Sequence, residues 1–419
     1  MRTRTYLRAG VRLAAVAVVA TGFAGTQTVP AWHVEEVWRK GGAIDGPYYF
    51  DQMLTYRAAA IAPSPGSRLI VFDPAGSRLH LLDSTGALIR TIGREGSGPG
   101  EFRSPFGVAV AHDGRIVVND LRNGRFVLFS ATGDFDRVIS IRRGPLFAFD
   151  IGWDASFDNS GRLLHPLSVR AIRPIAVTGV APGSPLLDST LVTERWARDL
   201  LRSDTVSMCG APLPVAQNTA QHYMRSFGGS GRIDENAPPG GRPPGGVGWL
   251  PIPFTEQHTY YVRDRDGLEW APIAPGSREL VRRAGGRCGD VVARVTLRGG
   301  RAPVPAAARE RELAHVLAEV HARVPREYPW YRALRVDDQN QLWVERDVAG
   351  GRRFDVFSAT GQPVAEVNVP AGLVTTLPVV VAGGRLHGFV KDANDVAYLV
   401  AWRIVRGRVS RKPSARDEP

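Results

Sequence analysis

The sequence predicts an all-β fold, and more specifically a six-bladed β-propeller built from four-stranded antiparallel blades. Three observations lead to this prediction. One stretch of the chain reads as a complete four-stranded unit, weaker copies of it recur at a fixed spacing, and only one segment of the 419 residues has a helical pattern. Four short strands in each unit, repeated around a ring, define a propeller.

The complete unit runs from Gly93 to Ile141. A Gly/Pro-rich loop leads into it, and Asn123–Gly124 marks a tight hairpin turn, because both central residues of such a turn need a positive φ. The predicted strands of the unit are Phe106–Ala111, Arg115–Asp120, Arg125–Ser130 and Phe135–Ile141.

The repeat is visible in the second strand of successive units. Similar segments occur at Ser67–Asp73, Gly114–Asp120 and Gly161–Leu167, at a spacing of 47 residues. The pentapeptide FSATG occurs at Phe129–Gly133 and again at Phe357–Gly361. Chance recurrence of Gly-rich turns is the alternative, but a period of about 40–50 residues is typical of propeller blades.

The ends of the ring are expected to meet in the last blade. That blade shows three strands, Thr376–Ala382, Arg385–Lys391 and Val396–Val405, while Val34–Lys40 is a strand without a hairpin partner. Pairing the N-terminal strand with the last blade would satisfy both open edges. We therefore predict one propeller over residues 32–408, although the irregular region 168–253 leaves a seventh blade open.

Two insertions interrupt the repeat. Residues 228–248 are rich in Gly and Pro and predict a mobile surface loop. Residues 305–324 place Leu313, Val316, Leu317, Val320 and Val324 on one stripe, which predicts a single amphipathic helix lying on the propeller. A polar tail, 409–419, ends the chain.

Residues 1–31 have the layout of a secretory signal peptide. Four arginines precede a short apolar core, Leu13–Ala20, which is too short to cross a bilayer. Cleavage after Ala24 and cleavage after Ala31 both remain open. We expect an exported protein, periplasmic or extracellular, that does not span the membrane and is monomeric.

The formal net charge of +12 does not predict a nucleic-acid-binding protein. Only three of the 53 basic residues are lysines, and the arginines are scattered along the chain, with no basic run that is interleaved with aromatic residues. This distribution lacks the clustered basic face that phosphate binding requires. We expect no nucleic-acid partner.

Cys209 and Cys288 are the two cysteines of the chain. In an oxidising compartment a pair of cysteines is commonly bridged. A disulfide between them and two buried, reduced side chains are both open.

The segment GSGPGEFRSPFGVAVAHDGRIVVNDLRNGRFVLFSATG resembles an NHL repeat, which has Gly-Pro-Gly-Glu-Phe, a Pro, a Gly-led strand and an Asp. The whole chain is similar to exported bacterial six-bladed propellers without an assigned function. The resemblance implies an interaction platform, since most members of this wider group bind other molecules. A minority are enzymes, such as amidating lyases, streptogramin lyases and metal-dependent lactonases.

Sequence motifs for catalysis are absent. The nine histidines show no HxH or HExxH spacing, and no GxSxG motif occurs. The glycines from Gly93 to Gly100 precede a strand rather than a helix, so we interpret them as a connection between blades and not as a phosphate-binding loop.

Topology predicts where a ligand would bind. The connections between blades gather on one face, and they carry aromatic residues and one arginine that would suit a peptide or glycan. The candidate residues are Tyr49, Arg103, Phe147, Phe254, Tyr328, Trp330 and Tyr331. Packing of these rings between blades is the alternative.

The sequence thus predicts a binding or scaffold module for a protein, peptide or glycan of the cell envelope, without a cofactor. The alternative is a metal-assisted lyase or lactonase, which would hold Ca²⁺ or Zn²⁺ in the central funnel.

Overall fold

The computed structural model describes most of residues 29–407. The undescribed internal residues are 42–60, 74–75, 104, 121–122, 142–147, 150–154, 175–186, 210–221, 227–246, 256–261, 275, 285–288, 376 and 395. Nearly all of the predicted signal peptide, the predicted tail and most of the predicted Pro/Gly-rich loop lie outside the described residues.

The described chain contains 27 strands, which form six antiparallel blades and one separate hairpin. Strand β1 (Ala31–Gly41) comes first in the chain but belongs to the last blade. The strands of blades one and two are β2 (Ile61–Ser64), β3 (Arg68–Asp73), β4 (Arg78–Leu82), β5 (Leu88–Ile92), β6 (Pro105–Val110), β7 (Ile116–Asp120), β8 (Arg125–Phe129) and β9 (Phe135–Ser140).

Blade three is longer and less regular than its neighbours. Two short strands, Ala148–Phe149 and Ser156–Phe157, both pair antiparallel with the long strand that follows them. The strands are β10 (Ala148–Phe149), β11 (Ser156–Phe157), β12 (Leu163–Pro174), β13 (Leu187–Trp196) and β14 (Ser203–Cys209). A two-stranded sheet follows, formed by β15 (His222–Ser226) and β16 (Val247–Pro251).

Blades four to six complete the fold. Their strands are β17 (Val262–Arg263), β18 (Glu269–Pro272), β19 (Glu279–Arg283), β20 (Val291–Thr296), β21 (Ala333–Val336), β22 (Leu342–Val348), β23 (Gly351–Phe357), β24 (Pro363–Asn368), β25 (Val380–Ala382), β26 (Arg385–Lys391) and β27 (Ala397–Val405).

Burial explains the different sequence patterns of inner and outer strands. Second strands such as β3 and β7 are buried almost throughout and read as continuous apolar runs, because a neighbouring blade covers each face. The outermost strand β5 is exposed at every position except Ile92.

Hydrogen bonds join the first turns of blades three to six. The Asn159 amide donates to the Arg265 carbonyl over 2.7 Å, and the Arg265 amide donates to Asn340 Oδ1 over 2.9 Å. The Gly383 amide donates to Asp338 Oδ2 over 2.7 Å. These bonds connect blades three to four, four to five, and five to six.

Close packing of the corresponding turns completes the circle. A Cβ placed on Gly383 would lie 3.5 Å from Ser67 Oγ of blade one, and one on Gly114 of blade two would lie 3.8 Å from Pro65 Cγ. A Cβ on Gly161 of blade three would lie 3.6 Å from Arg115 Nη2 of blade two. Each blade therefore contacts the next around a ring of six, counted over the described residues, and the hairpin of β15 and β16 does not add a seventh blade.

The ring closes as the sequence predicted. Strand β1 pairs antiparallel with β27 from His33 to Gly41, with a bulge after Glu36. At its beginning β1 also pairs in parallel with β24 of blade five, through Ala31 and Trp32. The N-terminal strand thus becomes the outermost strand of blade six.

The insert between blades four and five contains two short helices rather than the single helix predicted for 305–324. Helix α1 (Ala306–Leu313) ends before an extended Leu317, and a 3₁₀ helix (Ala318–Arg323) follows. Folding the segment back on itself lets the predicted apolar stripe pack against Ile252 and Phe254, whereas one long helix would carry part of the stripe away from them. Arg309 Nη2 holds the fold by donating to the carbonyls of His321 and Val324.

Candidate functional site

The connection between blades four and five, residues 297–332, carries most of the predicted ligand-binding residues that the structure describes. In a propeller, connections of this kind lie on one face together with the turns between second and third strands; we call this face the loop face. The neck of the connection is paired, because the Tyr328 amide donates to the Ala302 carbonyl over 2.9 Å and the Val304 amide donates to the Arg326 carbonyl over 2.8 Å. The pairing fixes the position of the residues that follow the insert.

Two of the predicted aromatic residues meet at this neck. The rings of Phe254 and Tyr328 are edge to face, with centroids 5.6 Å apart, and both side chains are half-buried. The guanidinium of Arg332 lies over the Tyr328 ring, 5.1 Å from its centroid. We call Phe254, Tyr328 and Arg332 the platform.

The platform rests on the insert. Phe254 packs against the apolar residues of the two helices, including Val320 and Val324, which are buried. Its backbone has a φ of 60°, an unusual conformation for a bulky residue. The packing therefore compensates for backbone strain that is local to the platform.

Trp330 and Tyr331 both pack against the core between blades four and five. Tyr331 is 1% exposed and belongs to the core between blades four and five, so a ligand on the surface cannot reach its ring. Trp330 packs against the same core, with Arg346 positioned over its ring at 5.9 Å, and its carbonyl accepts a 3.1 Å hydrogen bond from Arg346 Nε. Both side chains therefore contribute to the packing between these two blades.

Of the remaining predicted ligand-binding residues, the structure describes only Arg103, which belongs to another connection. Arg103 is exposed on the connection between blades one and two, where its amide donates to Asp120 Oδ1 over 3.0 Å. Tyr49 and Phe147 lie outside the described residues, and so does Cys288, which leaves its bridge to Cys209 as a prediction. Within the described part of the chain, no group of three or more His, Cys, Asp or Glu side chains has the arrangement of a metal site.

Sequence reasoning missed three consecutive charged residues in the middle of a buried strand. Glu345, Arg346 and Asp347 of β22 are 0%, 2% and 8% exposed. Charged residues are rarely buried to this degree unless they are paired. The sequence did contain a sign of this group. When the first turns of the blades are aligned, Glu345 takes the position of Phe72 in blade one and of Asn119 in blade two, and neither of these residues is charged.

Two arginines hold the Glu345 carboxylate. Arg335 Nη1 donates to Oε2 over 3.0 Å and Arg352 Nη1 donates to Oε1 over 3.1 Å. Arg352 also donates to Thr375 Oγ1 and to the Leu373 carbonyl, in the connection to blade six. The Glu345 group therefore ties the loop face of blade five to that of blade six.

The Asp347 carboxylate connects this group to the platform. Arg332 Nε donates to Asp347 Oδ2 over 2.6 Å, and the Arg332 amide donates to the Glu345 carbonyl over 2.7 Å. Burial lowers the pKa of Arg332, but the hydrogen bond to Asp347 and the charges of Asp347 and Glu345 outweigh it, so the pKa is raised and the guanidinium stays charged.

Fold and site together define a six-bladed β-propeller with an aromatic and arginine-bearing surface on its loop face. The model of the DUF5128 family, described as a 6-bladed beta-propeller, matches residues 51–149, which include blades one and two. No curated protein matches the chain.

Among solved structures, a member of the DUF4221 family from Bacteroides vulgatus is 10% identical, with a TM-score of 0.52; the match covers 91% of this chain and 100% of that one. This likeness supports the fold alone. A presumed exported protein of Bacteroides fragilis is 12% identical, with a TM-score of 0.42 and coverage of 90% and 95%. The PQQ-bound aldose sugar dehydrogenase of Streptomyces coelicolor is also 12% identical, with a TM-score of 0.39 and coverage of 90% and 100%.

Among the helices of the described residues, none is long and apolar enough to cross a membrane.

Proposed function

We propose that this protein is an exported binding module that recognises a peptide or glycan through the loop face of its propeller. The observation that carries the proposal is the platform, where two half-buried aromatic rings and a charged arginine are held together on the surface. Aromatic rings and arginine are the residue types that contribute most to recognition surfaces. Residues 1–31 contain basic residues, then a short apolar core and then small residues, and this order supports export into the cell envelope or beyond it.

Rigidity also supports a binding role. The platform is braced from one side by the insert, through Phe254, and from the other by Asp347 of the buried strand β22. Side chains that are already ordered lose less conformational entropy when a ligand binds. Such a surface is suited to recognition without rearrangement.

The test is a binding screen of the mature protein against immobilised oligosaccharides and peptides, followed by measurement of Kd for the best ligand. Tyr328→Ala should weaken binding by about tenfold or more, since one stacked or hydrogen-bonded aromatic side chain contributes that much at a recognition surface. The matched control is Phe135→Ala, which removes an aromatic ring that is 42% exposed on the outer strand of blade two. Equal losses in the two variants would contradict the proposal.

The ligand found in this screen also allows a test of the enzymatic alternative. Incubation of the bound oligosaccharide or peptide with the protein and Ca²⁺ or Zn²⁺ should leave it intact. A product released only with metal, and lost on chelation, would favour a lyase or lactonase.

A further inference from the structure

Arg332 has a guanidinium that is only partly used by the fold. Its Nε donates to Asp347 Oδ2, while Nη1 and Nη2 have no hydrogen-bond partner among the described residues, and 37% of the side chain is exposed. A guanidinium presents its N–H groups in one plane, so the two terminal nitrogens can hold a second planar acceptor.

The local charge is not balanced. Among the described residues, the ion pairs of Glu345 and Asp347 join two carboxylates to three guanidinium groups, those of Arg332, Arg335 and Arg352. The two carboxylates are buried and the arginines are at most partly exposed, so bulk salt screens the excess positive charge poorly. An anion bound at Arg332 would neutralise it, and a carboxylate matches the guanidinium in a bidentate geometry.

The surroundings favour a ligand with one carboxylate among neutral groups. Residues 305–327, the insert on which Phe254 packs, contain four arginines and four glutamates and so add no net charge. The exposed residues of the insert carry both signs, Glu310 and Glu312 as well as Arg311 and Arg323, so the insert offers no cluster of positive charge for a run of acidic residues. An acidic peptide fits this charge pattern less well than a sugar acid does.

From these contacts we infer that Arg332 binds the carboxylate of a uronic acid within an otherwise neutral oligosaccharide. The inference rests on the proposed function, because it assigns a ligand class to the same platform. Arg332 selects the acid, and the rings of Tyr328 and Phe254 provide the adjoining apolar surface.

The experiment compares two disaccharides that differ only in one group. Cellobiouronic acid carries a carboxylate where cellobiose carries a hydroxymethyl group, and their Kd values are measured by calorimetry or ligand-observed NMR. Wild-type protein should bind the acid about tenfold to a hundredfold more tightly, the range expected for a hydrogen-bonded charge. Arg332→Gln should remove this preference, Arg332→Lys should keep part of it, and the exposed control Arg326→Gln should keep all of it.

Folding of each variant is checked by thermal unfolding, because Arg332→Gln leaves Asp347 without its partner. If that variant is unfolded, the double variant Arg332→Gln with Asp347→Asn replaces the ion pair by a neutral one and is used instead. Loss of the acid preference is expected there too.

Equal affinity of wild-type protein for the two disaccharides, or a preference that survives Arg332→Gln, would overturn the inference while the proposed binding function stands. Binding of a glutamate-containing tripeptide but of neither disaccharide would also overturn the uronic-acid inference and leave the proposed binding function standing. Failure of both disaccharides, the tripeptide and the wider screen would overturn the proposed function as well.

Discussion

Single residues of blade five show how much of this fold depends on buried charge. Glu345 is the counter-ion of both Arg335 and Arg352, and no part of it is exposed. Glu345→Gln would leave two guanidinium groups beside each other without a carboxylate, and breaking a buried pair in this way costs about 3–5 kcal/mol. The loss in free energy of unfolding can be measured by denaturant titration. The control Glu366→Gln removes a carboxylate that is 40% exposed and pairs with Arg353, so it should cost less than about 1 kcal/mol.

A second residue gives the stability a pH dependence. Burial, helped by the charge of Arg385, lowers the pKa of His387 from 6.5 to about 4. Between these two pKa values the unfolded state binds a proton that the folded state does not. His387 therefore has no effect on the free energy of unfolding above about pH 6.5, and it lowers that free energy increasingly as the pH falls from about 6.5 to about 4. Between pH 7 and pH 5 this contribution is about 2 kcal/mol. We expect His387→Phe to lose less unfolding free energy than wild type over that interval; an identical loss in both proteins would contradict the assignment.

At the scale of elements, the turns are the part of the fold most directly encoded by sequence. FSATG forms the same turn in blades two and five: Ser130 Oγ accepts hydrogen bonds from the amides of Thr132 and Asp134, and Ser358 Oγ accepts them from Thr360 and Gln362. The turn in blade five is also a contact between blades. A Cβ on Gly361, where φ is +85°, would lie 2.2 Å from the Arg294 carbonyl oxygen in blade four.

We therefore expect Gly361→Ala to destabilise the protein more than Gly350→Ala does. Gly350 has nearly the same φ, +88°, but a Cβ placed on it would have no other atom within 4 Å, so it isolates the backbone cost of about 1–2 kcal/mol. The clash with blade four should add about 1–3 kcal/mol to the loss for Gly361→Ala in denaturant titrations. Equal losses would mean that the two blades are not in contact at this turn.

Elements whose ends are not marked by turn residues were harder to predict. The strand limits of blades two and six were predicted to within a few residues, because glycines and Asp-rich turns mark their ends. The insert was predicted as one helix, since an apolar stripe with helical spacing cannot show that the chain turns back after Leu313 to reach Ile252 and Phe254. The platform was only half predicted: its aromatic residues follow from topology, but Arg332 depends on Asp347, a contact 15 residues away that no local pattern shows.

For the whole molecule, the repeats predicted a ring and the unpaired N-terminal strand predicted how it closes. Both predictions rest on hydrogen bonding, because a strand edge left open is unfavourable wherever it occurs in the sequence. The core is accordingly divided among interfaces between blades. One apolar cluster joins blades one, two and six, and others join blades two to three, four to five and five to six. Removing the closing strand would leave the outer edge of β27 unpaired and would take Trp32 out of the cluster that it shares with Trp343 and Trp402.

A cross-link between the first and last strands tests this closure most directly. Glu35 is paired with Arg403 across β1 and β27, so Glu35→Cys with Arg403→Cys, in a background with Cys209→Ser and Cys288→Ser, should form a disulfide under mild oxidation. The control pair Glu36→Cys with Arg403→Cys should not, because adjacent residues of a strand point to opposite faces. Mass spectrometry of the oxidised proteins should show the bridge only in the first variant, with a raised Tm. A first pair that remains reduced, or a control that bridges equally well, would contradict the ring.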